Sequence, residues 1–225
     1  MYLNWKGEGH VFVPFIAVEG PIGVGKTTLT AAIAKTFSYQ QLQEISSENP
    51  FLDQFYQDKE KWSFQTEMFF LCNRYEQLKQ INKDYISAGI PVVADYHIFK
   101  NMLFAQRTLE ASDLAKYKEI YRILTQDLPM PNIIISLSAS LSTLQQRIHE
   151  RGRYYESDMD SDYLQLLSDD YSSYIPEFEK AHPDISVLHI DGDQMDFVRN
   201  TQDLKNILAR VDAAVQKGLN LNETT

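Results

Sequence analysis

Apolar residues gather along the chain in five short runs: Val11 to Val18, Gln41 to Ile45, Pro91 to Ala94, Ile133 to Leu137 and Val187 to Ile190. Each has the length of a buried strand. Between the runs, apolar positions recur at three- and four-residue spacing. They do so over Thr27 to Phe37, Trp62 to Ile81, Asp113 to Thr125, Leu141 to Arg151, Tyr163 to Ala181 and Asp203 to Val215. That spacing predicts helices with one apolar face. Strands alternating with helices predict an α/β fold, a five-stranded parallel sheet with helices on both faces. Pro129 and Pro131 punctuate the entry to the fourth strand, and no repeat, low-complexity tract or linker divides the chain. One domain over residues 1–225 is expected, with a core from about 12 to 217 and mobile ends.

The first run leads into Gly20-Pro21-Ile22-Gly23-Val24-Gly25-Lys26-Thr27, which fits G-x-x-x-x-G-K-[ST]. Four fixed positions match by chance in such a chain only about once in a hundred, and here a strand precedes and a helix follows. Glycines let the backbone curl so that its N–H groups converge on phosphate oxygens, and the helix N-terminus adds a positive dipole end. Lys26 then reaches the β- and γ-phosphates, and the Thr27 hydroxyl can ligate Mg2+. The loop predicts a nucleoside triphosphate ligand. It names a donor and not a reaction, since kinases, nucleotide switches and motor ATPases all carry it.

Hydrophobic residues make up 44% of the chain and charged residues 23%, enough apolar content to fill a core. The formal net charge of −10 argues against a nucleic-acid partner and against an anionic membrane. No run approaches the roughly 18 apolar residues of a membrane helix, and MYLNWKGEGH lacks the layout of a signal peptide. A cytoplasmic protein acting on small molecules is expected. Cys72 is the single cysteine, which excludes an intramolecular disulfide and reads as a buried structural thiol. Asp158, Asp160 and Asp162 open like a calcium loop, but Tyr163 stands where the loop needs glycine, so calcium is rejected.

Several residues then carry candidate chemistry. Glu44 ends the second run, at the sheet edge where ligands bind, and reads as a ligand-facing or a solvated loop acid. Glu67 and Arg74 are seven apart and share a helix face, as a pocket pair or a surface pair. Arg147, Arg151 and Arg153 gather around Gly152 at a helix end, suited to phosphates or simply to the helix dipole. In PVVADYHIFKN, Asp95 ends an apolar run and His97 follows two residues later. The stretch offers a metal acid, an acid–base pair, or only a strand running into a helix.

Taken together, these positions resemble the deoxynucleoside kinase family, which includes the viral thymidine kinases, over roughly residues 12 to 200. The chain looks closest to the bacterial deoxyguanosine kinase branch, through ADYHIFKN, WSF followed by EMFFLCNRY, and RGR. The resemblance implies a P-loop kinase fold with an arginine-rich lid, ATP as phosphate donor, Mg2+, and a homodimer pairing helices from the Trp62 and Asp113 regions. It implies phosphorylation of the 5′-hydroxyl of purine deoxynucleosides. Glu44 matches the general base, with Lys26, Arg151 and Arg153 as its catalytic partners. Tyr56 and Glu156 match a pair that holds the 3′-hydroxyl, and Arg74 an arginine beside the base. Arg147, Arg151 and Arg153 match lid arginines. Asp191 to Phe197, with Asp193 inside it, resembles the loop around the donor adenine. Gly20 through Thr27, with Thr28 following, match the donor-phosphate site. Thr27 and Asp95 match the metal site, and Asp95 also faces the substrate.

The chain departs from the family at three places. Asp95-Tyr96-His97 replaces E-R-S or D-R-S, so an arginine near the 5′ end is missing; His97 takes the serine position and reads as packing. Asn101 replaces an acid that pairs with the base-reading arginine, and Glu67 replaces a base-reading glutamine. An ionised carboxylate can accept guanine N1–H and N2–H together, whereas adenine offers one donor and one acceptor. Arg74 can donate to guanine O6 and N7. Glu67 with Arg74 therefore favours deoxyguanosine, and Gln65, two residues away, is the competing reader. The rivals are a kinase of deoxyadenosine or deoxycytidine, a nucleoside monophosphate kinase, and a nucleotide switch without an acceptor.

Overall fold

The computed structural model describes residues 12–44, 48–153, 156 and 159–223. Five strands, β1 (Phe15–Glu19), β2 (Gln40–Leu42), β3 (Val92–Ala94), β4 (Ile133–Ser138) and β5 (Ser186–Asp191), form one parallel sheet in the order β2-β3-β1-β4-β5. Central β1 is buried along its whole length, as its apolar run requires. Its register sets Ile16 against Val93 on one side and Ile133 on the other. The strand begins at Phe15 and not at Val11, since Pro14 has no N–H to give to a ladder. Phe12 to Pro14 lie outside the strand, and Val11 lies outside the described residues.

Among the described residues, eight α-helices pack around the sheet: α1 (Lys26–Phe37), α2 (Leu52–Gln57), α3 (Lys59–Asp84), α4 (Lys100–Thr108), α5 (Ala111–Thr125), α6 (Leu141–Arg151), α7 (Ser161–Ala181) and α8 (Thr201–Glu223), the last following β5. The two-residue period of β1 sorts them into layers. Ile16 and Val18 pack with Leu29 and Ile33 of α1, Leu144 and Ile148 of α6, and Ile207 and Val211 of α8. Phe15 and Ala17 face the other way. Phe15 meets Leu71 and Leu78 of α3 and Tyr117 of α5, while Ala17 meets Leu103 of α4 and Tyr171 of α7.

Caps fix where the helices start. Asp58 accepts from Lys61 N–H at 3.2 Å ahead of α3, and Asp160 accepts from Asp162 N–H at 3.0 Å ahead of α7. The second run forms a strand only to Leu42, and Ile45 lies outside the described residues. Two expectations are corrected. The last helix does not stop at Val215, because α8 continues to Glu223. Cys72 is exposed, because it sits on α3 off the face that buries Leu71, Arg74 and Leu78.

Candidate active site

The phosphate loop leaves the C-terminal end of β1 and closes on α1. Gly25, with φ +106°, occupies the N-cap, and no side chain caps the helix there. The first N–H groups of α1 are thus left for a ligand. Gly20 cannot be replaced freely: at φ +146°, an added Cβ would lie 2.3 Å from the Leu137 carbonyl oxygen. Lys26 Nζ curls over the loop and donates to the carbonyls of Gly20 and Pro21 at 2.8 and 2.9 Å. Burial, with the nearby Lys100 ammonium adding to it, lowers the Lys26 pKa to about 7.

Asp95 follows β3 beside this loop. Its Oδ2 accepts from Thr27 Oγ1 at 2.7 Å, and its Oδ1 accepts from Glu44 N–H at 2.7 Å. A hydroxyl and a carboxylate converging at a phosphate loop are the hard oxygen donors that Mg2+ takes, alongside phosphates and water. The donor set fits that ion.

Glu44 is held on two sides. Oε1 accepts from Arg74 Nε at 3.1 Å and from Arg74 Nη2, and Oε2 accepts from Lys100 Nζ at 2.9 Å. Burial raises its pKa, but Lys100 and Arg74 more than offset that, and the carboxyl titrates well below the usual range. Arg74 also donates to Asn101 Oδ1 at 2.6 Å, and Asn101 in turn donates to the Tyr117 hydroxyl at 3.0 Å. An amide here still accepts from the arginine.

Glu67 lies on the same face of α3, 2% exposed, with Oε1 accepting from the Thr108 hydroxyl at 3.1 Å. Burial pushes its pKa up to about 7 even with Arg74 near. Gln65 is exposed and belongs to a different surface groove. At the lid, Arg151 Nε donates to Glu156 Oε2 at 3.1 Å, and Arg153 lies 3.6 Å from Glu156 Oε1.

Most of the singled-out residues meet in one cavity. Ile22, Gly23, Lys26, Thr27, Glu44, Tyr56, Glu67, Arg74, Asp95, Arg151, Arg153 and Glu156 line it, with Leu52 and Phe55 from α2 and Phe70 from α3 adding apolar walls. Asn101 stands behind Arg74. Arg147 and Asp193 line a separate depression between α6 and the segment after β5. There Arg147 donates to Val24 O at 2.9 Å and Gly192 O at 3.2 Å, fastening the phosphate loop to that segment. Asp193 accepts from Ser140 N–H at 2.8 Å. Thr28 is exposed on α1.

The residues after β3 divide by environment. His97 is buried with its ring 5.3 Å from Phe99, and burial lowers its pKa to about 3, so the imidazole is neutral. Tyr96 is fully buried and donates to Gln77 at 2.6 Å. Two charged residues in or behind the site escaped the sequence reading. Glu19 ends β1 fully buried, its carboxylate accepting from His97 N–H and from the Tyr171 hydroxyl at 2.9 Å. Lys100 opens α4, and a cation at the positive end of a helix is the one local sign it carries.

A parallel sheet, a phosphate loop and a cavity with a held carboxylate beside that loop define a P-loop phosphotransferase that works on a small acceptor. Residues 16–216 match the sequence model of the deoxynucleoside kinases, and the chain belongs to that family. It is 50% identical over 198 residues to the deoxyguanosine kinase of Bacillus subtilis, covering 88% of this chain and 96% of that one. The deoxyadenosine/deoxycytidine kinase of the same organism is 28% identical over 208 residues, 89% of this chain and 92% of that one. Among solved structures, the deoxyadenosine kinase of M. mycoides with products dCMP and a flexible dCDP superposes with a TM-score of 0.74 at 25% identity. That superposition covers 88% of this chain and 99% of the other. No helix among the described residues is long and apolar enough to cross a membrane.

Proposed function

We propose that this kinase transfers the γ-phosphoryl group of ATP to the 5′-hydroxyl of deoxyguanosine, giving dGMP and ADP. The observation that carries the proposal is Glu67, a buried carboxylate lining the cavity beside Arg74. An ionised carboxylate accepts from two donors side by side, which guanine offers and adenine does not. The identity of 50% to the Bacillus subtilis deoxyguanosine kinase supports the same choice.

In this reading Glu44 accepts the proton of the 5′-hydroxyl as its oxygen bonds to the γ-phosphorus and the bond to the β-phosphate oxygen breaks. Lys26 and the open N–H groups of α1 hold the donor phosphates, and Arg151 and Arg153 spread the charge of the transferring group. Tyr56 and Glu156 hold the 3′-hydroxyl, and Arg147 and Asp193 line the donor-base side. Thr27 and Asp95 would hold Mg2+, which would supply charge neutralisation to the donor phosphates. Positioning and charge stabilisation carry the rate.

Pairing of two copies through α3 and α5 and a cytoplasmic place of action belong to the same proposal. Incubation with Mg2+ and ATP and each of several nucleosides tests the activity. Formation of dGMP is expected, and ATP hydrolysis without nucleoside phosphorylation would favour a switch.

A further inference from the structure

Lys100 occupies the first position of α4, where the helix dipole disfavours a cation, and it is only 5% exposed. Buried lysines persist when paired. Here the partner is Glu44 Oε2, 2.9 Å from Nζ, and Lys100 lines the same cavity as Glu44, Lys26 and Asp95.

The two oxygens of Glu44 are used differently. Oε1 takes two Arg74 donors, Nε and Nη2, which fills both its lone-pair directions. Among the described residues, Oε2 takes the Lys100 ammonium alone and keeps a second acceptor direction. Arg74 alone would hold the carboxylate by one oxygen only. The ammonium on Oε2 fixes the plane of the group, and with it the direction of the remaining lone pair. Lys100 reaches this place because Asp95 to Phe99 carry the chain from β3 into α4, with the Lys100 N–H donating back to His97 O at 3.2 Å.

We propose that Lys100 is a positioning residue for phosphoryl transfer, holding Glu44 so that Oε2 presents its free acceptor direction to the hydroxyl being phosphorylated. The proposal rests on the role given above to Glu44. A purely structural salt bridge would hold α4 against the sheet and leave the turnover of folded enzyme unchanged.

A double-mutant cycle on the full chain separates these roles, with kcat and KM for deoxyguanosine measured in each variant. Lys100→Met is expected to lower kcat by about 100-fold, the effect of a small misplacement of a reacting group, with KM changing less than about threefold. Lys100→Arg, which restores a cation, is expected to recover at least about tenfold of that loss. In a Glu44→Gln background, Lys100→Met is expected to cost less than about threefold, because residues acting as a unit are not additive. Lys100→Gln keeps a donor and the packed stem, and serves if the methionine variant does not fold; a kcat about tenfold lower is expected. Wild-type kcat in Lys100→Met or Lys100→Gln, or fully additive losses in the double variant, overturns the proposal. Wild-type kcat in Glu44→Gln overturns the base role of Glu44 and this inference together. A large loss in Glu44→Gln beside an unchanged Lys100→Met overturns this inference alone.

Discussion

The Thr27 hydroxyl donates to Asp95 Oδ2 at 2.7 Å, joining the phosphate loop to the end of β3 across 68 positions of sequence. The other oxygen of Asp95 accepts from Glu44 N–H, so loop, strand end and candidate base form one hydrogen-bonded unit. Asp95→Asn keeps the shape and removes the charge. The Mg2+ concentration for half-maximal rate is expected to rise about 10- to 100-fold. A titration of activity against Mg2+ checks it, and an unchanged requirement would remove Asp95 from the metal site.

Glu44 is ionised throughout the working pH range, since Lys100 and Arg74 overcome the effect of its burial. Glu44→Gln is expected to lower kcat at least about 100-fold, the lower end for loss of a positioned general base. Affinity for deoxyguanosine, measured by calorimetry without donor, is expected to change less than about threefold. Equal losses in turnover and affinity would make Glu44 a binding residue only.

Burial holds the Glu67 carboxyl at a pKa of about 7, against 4.5 for a free side chain. The sign follows directly. Above about 7 the group is ionised and can accept both guanine donors; below that it is protonated and loses one acceptor position. The kcat/KM for deoxyguanosine is therefore expected to fall as pH drops through about 7, and Glu67→Gln to lack that limb. Stability runs the other way. A raised carboxyl pKa contributes stability that is full below 4.5 and lost as pH rises through about 7. Glu67→Gln is expected to stabilise the free protein near pH 8 by up to about 3 kcal/mol, seen in a thermal melt.

Gly20→Ala sets a methyl group against the Leu137 carbonyl and asks alanine to adopt φ +146°. The expected cost is about 2 kcal/mol or more, or a Tm lower by roughly 4–8 °C in a chain of this size. Calorimetry checks this, and an unchanged Tm would mean that the loop relaxes freely.

Much of this was legible in the chain because the sheet is buried on both faces. The run from Ile133 to Leu137 reads as β4 since nearly every one of its side chains is inside. The six residues of α2 are too few to display a helical period, so Leu52–Gln57 passed unnoticed although Leu52 and Phe55 wall the cavity. Sequence leaves Glu67 and Gln65 in competition because they lie two residues apart; the fold puts Glu67 with Arg74 on the buried, cavity-lining face of α3 and leaves Gln65 exposed. Lys100 was hidden for a related reason. Its partner Glu44 is 56 positions away, and only the parallel pairing of β2 with β3 brings them together.

In the proposed function a buried carboxylate, Glu67, selects guanine. Its most direct test is the ratio of kcat/KM for deoxyguanosine over deoxyadenosine, measured in an equimolar mixture near pH 8 for the wild type and for Glu67→Gln. A wild-type ratio well above one is expected, falling about 10- to 100-fold in the variant, the discrimination that a paired hydrogen-bond contact supplies. A wild-type preference for deoxyadenosine, or a ratio unmoved by Glu67→Gln, would contradict it.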